Sequence, residues 1–289
     1  MARLIYSVLF YLLLPLIILR LLFRGLKSSG YRSRWAERFG LVASTADKRI
    51  IWLHAVSVGE TLAAAPLVRA LQEQYPQHRL LVTCMTPTGS ERIQAVFGDS
   101  VEHCYAPYDM PDALSRFLAT VNPEILIIME TELWPNTIAA CHRRNIPVVL
   151  ANARLSQKSA LGYSRVKPLV KPMLESMTAV VAQHHDDGAR FIDLGLPDSV
   201  LSISGNIKFD LTLDAPLKQY AQQLGTQWRG AEGRLIWLAA STHRGEDEII
   251  LQAMSQIKAG MEVPPLLVLV PRHPERFDQV AELCTSAGY

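Results

Sequence analysis

Residues 50–65, IIWLHAVSVGETLAAA, decide the fold class. The stretch opens with a short apolar run, Ile50 to Val56, that is rich in β-forming residues. Ser57 to Glu60 then lead directly into an alanine-rich segment. A strand that passes at once into a helix is the repeating unit of a parallel α/β sheet. The stretch therefore predicts a strand, a tight connection and a helix that begins at Glu60.

The same alternation continues through most of the chain. Further strands are predicted at Leu80 to Cys84, Val101 to Ala106, Ile125 to Met129, Val148 to Ala151, Ala179 to Ala182 and Leu201 to Ser204. Helices are predicted at Glu60 to Gln74, Gly89 to Phe97, Pro111 to Val121, Pro135 to Arg144, Val166 to Met177 and Asp186 to Leu194. Near-continuous hydrophobicity is typical of strands that helices cover on both faces. Together these segments predict one Rossmann-like domain.

A second α/β pattern begins after the polar stretch Gly225 to Gly233. Its strands are predicted at Leu235 to Ala239 and Leu266 to Val270, and its helices at Glu246 to Lys258 and from Pro274 onward. The pattern runs for about 55 residues, whereas a doubly wound domain with its own core normally needs about 100. We therefore expect a membrane anchor over 1–27, a Rossmann-like domain over 28–230, and the beginning of a second, truncated domain over 231–289.

The N-terminal segment from Leu4 to Phe23, LIYSVLFYLLLPLIILRLLF, is almost entirely apolar. About 20 such residues cross the hydrocarbon core of a bilayer. The residues that follow carry a single acid, Glu37, against the cations Arg24, Lys27, Arg32, Arg34 and Arg38. Basic residues beside a membrane segment are retained in the cytoplasm, so the body of the protein is predicted to face the cytosol.

The apolar N-terminal segment has two other interpretations. A cleaved signal peptide is disfavoured because the sequence is basic where a small-residue cleavage site would lie. Pro15 and Arg20 also permit a helix that is only partly embedded in the membrane. The sequence is compatible both with a helix that spans the membrane and with one that is embedded in it.

Composition and missing motifs exclude several functional classes. The net charge is only +2, whereas a general nucleic-acid binder would carry a pronounced basic excess. The cysteines lack a CxxC pair, which favours a reducing cytoplasm over a disulfide framework. The sequence contains no GxxxxGKS/T, HExxH, GxSxG or GxGxxG motif and no Asp-x-Asp pair. No metal is predicted in the chemistry.

Glu60 stands where the first strand turns into its helix, and ligands of open α/β sheets bind at such strand ends. The helix dipole stabilises a carboxylate in the first turn, so a purely structural capping role is one interpretation. The preceding Gly59 permits close approach of another molecule, which a general base needs in order to reach a hydroxyl. Both interpretations stay open at this point.

METELWPN, residues 129–136, places Glu130 and Glu132 directly after the most hydrophobic strand. These acids are either solvated residues of a first helical turn or functional carboxylates at the edge of the sheet. Cations follow two further strands, Arg154 in NARLS and Lys208 in GNIKFD. They suit an anionic substrate or developing negative charge, unless they merely neutralise nearby acids.

Two segments of the second pattern suit a nucleotide. PRHPER, which begins with Pro271 and Arg272, follows a predicted strand, and an arginine there can bind phosphate through two hydrogen bonds. STHRGE, residues 241–246, offers hydroxyls, amides and a helix N-terminus to an anion. The structural alternative is a pair of well-capped turns.

A series of blocks in one order closely resembles the 3-deoxy-D-manno-octulosonic acid (Kdo) transferases of lipopolysaccharide synthesis. The blocks are HAVSVGETLAAAPLVRAL, TCMTPTGSERI, METELWPN, NARLS, GNIKFD, STHRGEDE and LVPRHPERF. Several long blocks in order are more specific than any short motif. The resemblance implies an α/β fold of glycosyltransferase B type, with two Rossmann-like domains. It also implies an inverting transferase that uses CMP-β-Kdo as donor substrate and no cofactor.

The resemblance also implies roles for individual residues. Glu60 corresponds to the base that removes a proton from the acceptor hydroxyl, and Glu130 and Lys208 correspond to residues that stabilise the transition state. Pro271 and Arg272 correspond to contacts with CMP. The implied acceptor is a lipid A precursor, lipid IVA, bound by the N-terminal domain. The implied location is the cytoplasmic side of the cell inner membrane, with no nucleic-acid partner.

Two alternative functions are also compatible with the sequence. A sugar-nucleotide epimerase with two Rossmann-like domains would show the same alternation but needs no membrane anchor. A non-catalytic, membrane-bound module that binds glycolipid would suit a truncated chain. Members of the family continue beyond Tyr289 with glycine-rich and acidic segments that complete the nucleotide pocket, so their absence here is the one departure from the family pattern.

Overall fold

Seven parallel strands form one sheet in the computed structural model of the chain, which describes residues 1–27, 29–43, 49–210, 215–231 and 233–289. In chain order they are β1 (Arg49–His54), β2 (His78–Cys84), β3 (Glu102–Tyr105), β4 (Ile125–Met129), β5 (Val148–Ala153), β6 (Ala179–Ala182) and β7 (Leu201–Ile203). Their order in the sheet is β3-β2-β1-β4-β5-β6-β7. The chain therefore starts in the middle, runs outward to β3 and returns to β4 on the other side of β1.

Nine helices accompany this sheet within the described ranges. They are α1 (Ala2–Lys27), α2 (Trp35–Arg38), α3 (Val58–Gln74), α4 (Pro87–Phe97), α5 (Pro111–Val121), α6 (Pro135–Arg143), α7 (Gln157–Ser164), α8 (Lys167–Glu175) and α9 (His185–Leu194). Side chains of α3 and α4 pack on one face of the sheet, and those of α5, α6, α8 and α9 pack on the other. Helices thus cover both faces, as the apolar strands predict.

Side chains along β1 alternate between the two hydrophobic clusters that lie on opposite faces of the sheet. Ile51 and Leu53 point into the cluster under α3 and α4, whereas Ile50 and Trp52 point into the opposite cluster. The Trp52 ring packs on Phe117 of α5 with ring centroids 4.8 Å apart. Because α3 follows β1 on one face and α6 follows β4 on the other, a crevice opens between them at the carboxyl edge. Ligands of open α/β sheets bind at such a point of reversal.

The remaining residues form a second unit. It contains α10 (Ala215–Arg229), β8 (Ile236–Thr242), α11 (Glu246–Gly260), β9 (Leu266–Pro271) and α12 (Phe277–Ser286). Strands β8 and β9 pair in parallel, with Leu238 opposite Val268. From β8 onward, the order of strands and helices in this unit is the one that the sequence predicts for a second α/β pattern.

The predicted strands of both units are confirmed to within a few residues, but the sequence does not predict three of the helices. They are α2, α7 and α10, and the sequence of α10, APLKQYAQQLGTQWR, contains no buried residue. Without a buried apolar stripe, its pattern resembles a polar connection. The chain divides into Met1–Leu211 and Thr212–Tyr289, so α10 groups with the second unit rather than with the predicted domain over 28–230.

Helix α1 lies against the first unit along its length. Its inward side chains pack in a cluster with residues beyond β2 and β3, the cluster members from α1 being Phe10, Leu14, Ile17 and Leu21. The outward side chains are exposed, among them Leu4, Leu9, Leu12, Leu16, Leu19 and Phe23. By length and composition α1 could cross a membrane, which alone is weak support for a membrane anchor.

Gly40, which follows α2, allows the chain at this point to lie close against the backbone of α5. Its φ is 80°, and a Cβ there would lie 2.0 Å from the carbonyl oxygen of Ala113. We expect Gly40→Ala to lower the free energy of unfolding by about 2 kcal/mol or more, because the clash is with backbone. Gly162→Ala in α7 is the matched control, since nothing lies within 4 Å of its Cβ. Urea denaturation that gives equal values for both variants would contradict this packing.

Candidate active site

Glu60 lies in the first turn of α3, directly beyond the carboxyl end of β1, and is 6% exposed. The Ser57 hydroxyl accepts the Glu60 N–H at 3.2 Å, and the Glu60 carboxylate accepts the Val56 N–H at 2.7 Å. This reciprocal arrangement is a form of capping box, so Glu60 does have the structural capping role that the sequence allows. The same bonds hold the carboxyl group in one orientation at the strand end. The capping and catalytic interpretations are therefore compatible.

Glu130 is the first residue beyond β4. Its φ is 58°, in the left-handed region that is uncommon for residues other than glycine. Its N–H donates to the Ala151 carbonyl at 2.9 Å, which keeps it in line with the neighbouring strand β5. Such backbone geometry persists only where the surroundings hold it, and it is common at functional sites. The Glu130 Oε1 lies 3.5 Å from the Nζ of Lys208.

Lys208 belongs to a short 3-10 turn, Ile207–Asp210, that follows β7 and contacts α3. Asn152, near the end of β5, fixes this turn because its Oδ1 accepts the Ile207 N–H at 3.1 Å. The Asn152 carbonyl in turn accepts the side-chain amide of Gln183 at 3.0 Å. The ends of three strands thus hold Lys208 beside Glu130.

Glu60, Glu130 and Glu132 form an acidic cluster at this edge. Burial raises the pKa of Glu60, and the Glu130 charge adds to the shift while the bonds from Ser57 and Val56 oppose it. Burial, with the charges of Glu60 and Glu130, raises the pKa of Glu132 to about 7. Like charges in one site disfavour full ionisation. The cluster therefore holds a proton close to neutral pH.

The structure brings the predicted residues Glu60, Glu130 and Lys208 to one edge. The sequence points to Glu132 only as a second acid beside Glu130, because nothing in METELWPN reveals its burial. Among the residues in the described ranges, no group of three or more His, Cys, Asp or Glu side chains is arranged to hold a metal ion. That the reaction needs no metal stays a prediction.

A mainly apolar pocket lies close by and includes His54 of β1 and Trp134, which precedes α6. Burial lowers the pKa of His54 to about 4, so its imidazole is neutral at physiological pH. Its Nδ1 pairs with the Thr83 Oγ1 at 2.9 Å, and the same oxygen accepts the Trp52 Nε1–H at 2.8 Å. His54 is accordingly a hydrogen-bonded core residue rather than an acid or a base.

Pro271 and Arg272 lie at the carboxyl end of the two-stranded sheet in the second unit. Pro271 ends β9, and the Arg272 N–H donates to the Thr242 carbonyl at 3.0 Å. The Arg272 side chain is exposed. Beside it, Arg276 donates to the same carbonyl at 2.9 Å and pairs with Asp247, which is 1% exposed. This internal ion pair, which the sequence does not reveal, fixes the turn that presents Arg272.

The raised pKa of Glu132 predicts a pH-dependent stability. Its value of about 7 exceeds the ordinary 4.5, so between these pH values the folded state keeps a proton that the unfolded state has released, and the free energy of unfolding falls as pH rises through this range. Glu132→Gln should therefore change little at pH 4 but raise the free energy of unfolding at pH 8 by ~1–3 kcal/mol, allowing for partial solvent exposure. Urea denaturation at both pH values measures the difference.

Glu124→Gln is the matched control. Hydrogen bonds from Arg49 and His78 lower the pKa of Glu124 to about 2, so its charge is favourable and its removal should not stabilise the fold. An equal rise in stability for both variants at pH 8 would mean that general relief of acidic charge, rather than burial of Glu132, causes the effect.

Comparisons with known proteins agree on one family. The sequence model of the family described as 3-Deoxy-D-manno-octulosonic-acid transferase (kdotransferase) matches residues 33–211. The transferase of that name from Haemophilus influenzae is 47% identical over 98% of this chain and 66% of its own length. That from Bordetella pertussis is 35% identical over 100% and 68%, respectively. The chain thus spans about two thirds of the length of these relatives.

Solved structures extend the comparison to the fold. The UDP-GlcNAc 2-epimerase from Neisseria meningitidis bound to UDP-GlcNAc aligns with a TM-score of 0.55 and 13% identity, over 82% of this chain and 69% of that one. A second UDP-N-acetylglucosamine 2-epimerase gives 0.53 and 14%, over 83% and 66%. At this identity the likeness concerns the fold alone, and it agrees with the predicted glycosyltransferase B type. By its family match and its 47% identical relative, the chain belongs to the 3-deoxy-D-manno-octulosonic acid (Kdo) transferases.

Proposed function

We propose that this protein transfers Kdo from CMP-β-Kdo to a lipid A precursor, lipid IVA, with inversion at the anomeric carbon. The meeting of Glu60, Glu130 and Lys208 at the carboxyl edge, beyond the paired strands β1 and β4, is the observation that carries the proposal. Membership of the family supports Kdo transfer in general. The choice of donor, the choice of acceptor and the inversion are parts of the proposal.

The proposed step is a direct displacement. An acceptor hydroxyl attacks the anomeric carbon of Kdo while the bond from that carbon to the phosphate oxygen of CMP breaks. The hydroxyl proton passes to Glu60, and the bonding electron pair leaves with CMP. Attack opposite the leaving group inverts the configuration. No metal and no cofactor take part in this step.

Glu60 suits the role of base for reasons of geometry and charge. The Val56 N–H at 2.7 Å orients its carboxylate, so little freedom is lost when an acceptor hydroxyl binds. Burial raises its pKa, which makes it a better proton acceptor than a solvated glutamate. The bonds from Ser57 and Val56 act in the opposite direction and maintain the ionised form that a base requires.

Glu130 and Lys208 suit the stabilisation of charge that develops during transfer. A sugar centre gains positive character as its bond to the leaving group breaks, and the leaving phosphate gains negative charge. In the proposal the Glu130 carboxylate faces the first charge and the Lys208 ammonium faces the second. At a separation of 3.5 Å the two opposite charges attract each other and hold both side chains at the site before substrate binds. Groups oriented in advance stabilise a transition state most effectively.

The second unit supplies the proposed CMP contact. The backbone of Arg272 is fixed by the Thr242 carbonyl, and its guanidinium is exposed and free to bind a phosphate through two hydrogen bonds. Pro271 precedes it and restricts the backbone at the strand end.

We also propose that α1 holds the protein at the cytoplasmic face of the inner membrane. Its outward face is apolar, with Leu12 69% and Leu16 61% exposed, and Arg20 and Arg24 are exposed beside it, where they suit anionic headgroups. A helix that packs on the body along its length cannot cross the bilayer without drawing the body into it. This favours the embedded helix over the spanning helix.

We expect Glu60→Gln to reduce kcat by roughly 100- to 10,000-fold, because glutamine retains the volume and a hydrogen-bond acceptor but does not take the proton. The KM values and the melting temperature should change little. Mass spectrometry of the glycolipid product, with CMP-Kdo and lipid IVA as substrates, gives the rates.

Glu73→Gln, an exposed acid near the other end of α3, is the control for loss of charge on this helix and should leave kcat unchanged. Near-normal turnover of Glu60→Gln with a lowered melting temperature would reduce Glu60 to a helix cap and contradict its proposed role as base.

The membrane proposal predicts a separate effect. Substitution of Leu9, Leu12 and Leu16 together by Gln should greatly reduce sedimentation with vesicles of phosphatidylethanolamine and phosphatidylglycerol, because it removes apolar area from the outward face. The melting temperature should stay close to the original value, since these side chains are exposed. Unchanged sedimentation would count against α1 as the membrane contact.

A further inference from the structure

The first turn of α6 is held by residues that are distant in sequence. Its N-cap residue, Trp134, gives no side-chain cap. Instead, the Asp109 carboxylate accepts the N–H groups of Asn136 and Thr137 at 2.9 and 2.7 Å, and the Thr137 hydroxyl at 2.7 Å. Asp109 is 1% exposed and precedes α5. A buried carboxylate from another segment thus performs the capping that helix N-termini need.

Helix α1 completes this cap. The Asn136 side-chain amide donates one hydrogen bond to the Asp109 carbonyl at 2.8 Å and the other to the Ser7 hydroxyl of α1 at 3.0 Å. The Ser7 hydroxyl donates a hydrogen bond to the Arg3 carbonyl at 2.9 Å. The Tyr6 side chain of α1 also interacts with the Asp109 carboxylate. Ser7 and Asn136 are 8% and 4% exposed, so water cannot readily replace a lost partner.

This cap adjoins the candidate active site. Residues 130–134 connect β4 to α6 and carry Glu130 and Glu132. One end of this acidic segment is fixed by the sheet, through the bond from Glu130 to Ala151. The other end depends on where the first turn of α6 lies, and Asp109 and Ser7 determine that position.

We propose that α1 is a positioning element of the active site as well as a membrane contact, and that Ser7, through Asn136, sets the geometry of the acidic segment 130–134. The effect on turnover rests on the proposed transferase function, whereas the effect on the segment does not. A helix that served only to attach the protein to lipid would have no need of a buried polar contact with the turn that ends this segment.

Hydrogen exchange and kinetics of Ser7→Ala test this proposal in the full chain. We expect the amides of residues 130–137 to exchange about ten-fold faster, because the Asn136 amide loses a buried partner and the Asp109 cap loosens. We expect kcat to fall on the order of ten-fold with KM nearly unchanged, because the carboxylates are displaced rather than removed. Sedimentation with phosphatidylethanolamine and phosphatidylglycerol vesicles should stay the same, since the outward face of α1 is intact.

Thr178→Val is the matched control for loss of one hydroxyl. That hydroxyl accepts the Val148 N–H at 3.2 Å at the amino edge of the sheet, opposite the active site. It should leave exchange of 130–137 and kcat unchanged. Asn136→Ala should have effects at least as large as those of Ser7→Ala, because it also removes the bond to the Asp109 carbonyl, and the double variant should add little to Asn136→Ala, because the contact with Ser7 is then already lost.

Three results would overturn the proposal. They are unchanged exchange of 130–137 in Ser7→Ala, faster exchange without a fall in kcat, and a fall in kcat that merely follows a loss of vesicle binding. If the original chain itself shows no Kdo transfer, the proposed function fails. The exchange comparison then still decides whether α1 positions the acidic segment.

Discussion

The parallel pairing of β1 with β2 on one side and β4 on the other is the constraint on which the rest of the structure depends. Because the seven strands of this sheet run in the same direction, their carboxyl ends meet at one edge. Helices cover both faces, so the middle of each strand admits few polar side chains, and charged residues gather towards the two ends of the strands. Glu60 beyond β1 and Glu130 beyond β4 are therefore neighbours as a consequence of topology, whereas Lys208 beyond β7 reaches them because the turn Ile207–Asp210 returns along this edge to α3.

The carboxyl edge of the sheet combines several energetically unfavourable features, and the support of the sheet makes them possible. Glu130 and Asn152 both adopt left-handed backbone conformations, and the charges of Glu60 and Glu130 add to the raised pKa of the buried Glu132. Backbone N–H groups, the Lys208 ammonium and the ladder bonds of β4 and β5 offset this cost. A cluster of this kind on a mobile loop would separate to relieve its repulsion. Rigid strands beneath it are what keep the carboxylates oriented for chemistry.

The sequence predicts the strands well because a buried parallel strand is a short apolar run between polar segments, as in ILIIM of β4. It also predicts Glu60, Glu130 and Lys208, because each follows such a run. It does not predict α10, which buries no side chain. Nor does it single out Asp109, whose capping partners lie 27 and 28 positions away, or the burial of Glu132, because such contacts depend on how distant segments pack. Local patterns indicate elements and their ends, whereas long-range polar contacts appear only once the chain is folded.

Under the proposed membrane role of α1, membrane attachment and chemistry share one edge of the sheet. A glycolipid acceptor keeps its acyl chains in the membrane, yet its sugar hydroxyl must reach Glu60 under the proposed function. The cluster that receives α1 contains Met85 and Tyr108, which follow β2 and β3, and Ser7 contacts Asn136 beyond β4. The proposed membrane face therefore borders the same carboxyl edge as Glu60. Because α1 packs on the body instead of hanging from a flexible tether, the distance from the lipid surface to the carboxylates is set by side-chain packing. A substrate that stays partly in the membrane needs such a fixed distance, since its hydroxyl can rise only as far as its anchored chains allow.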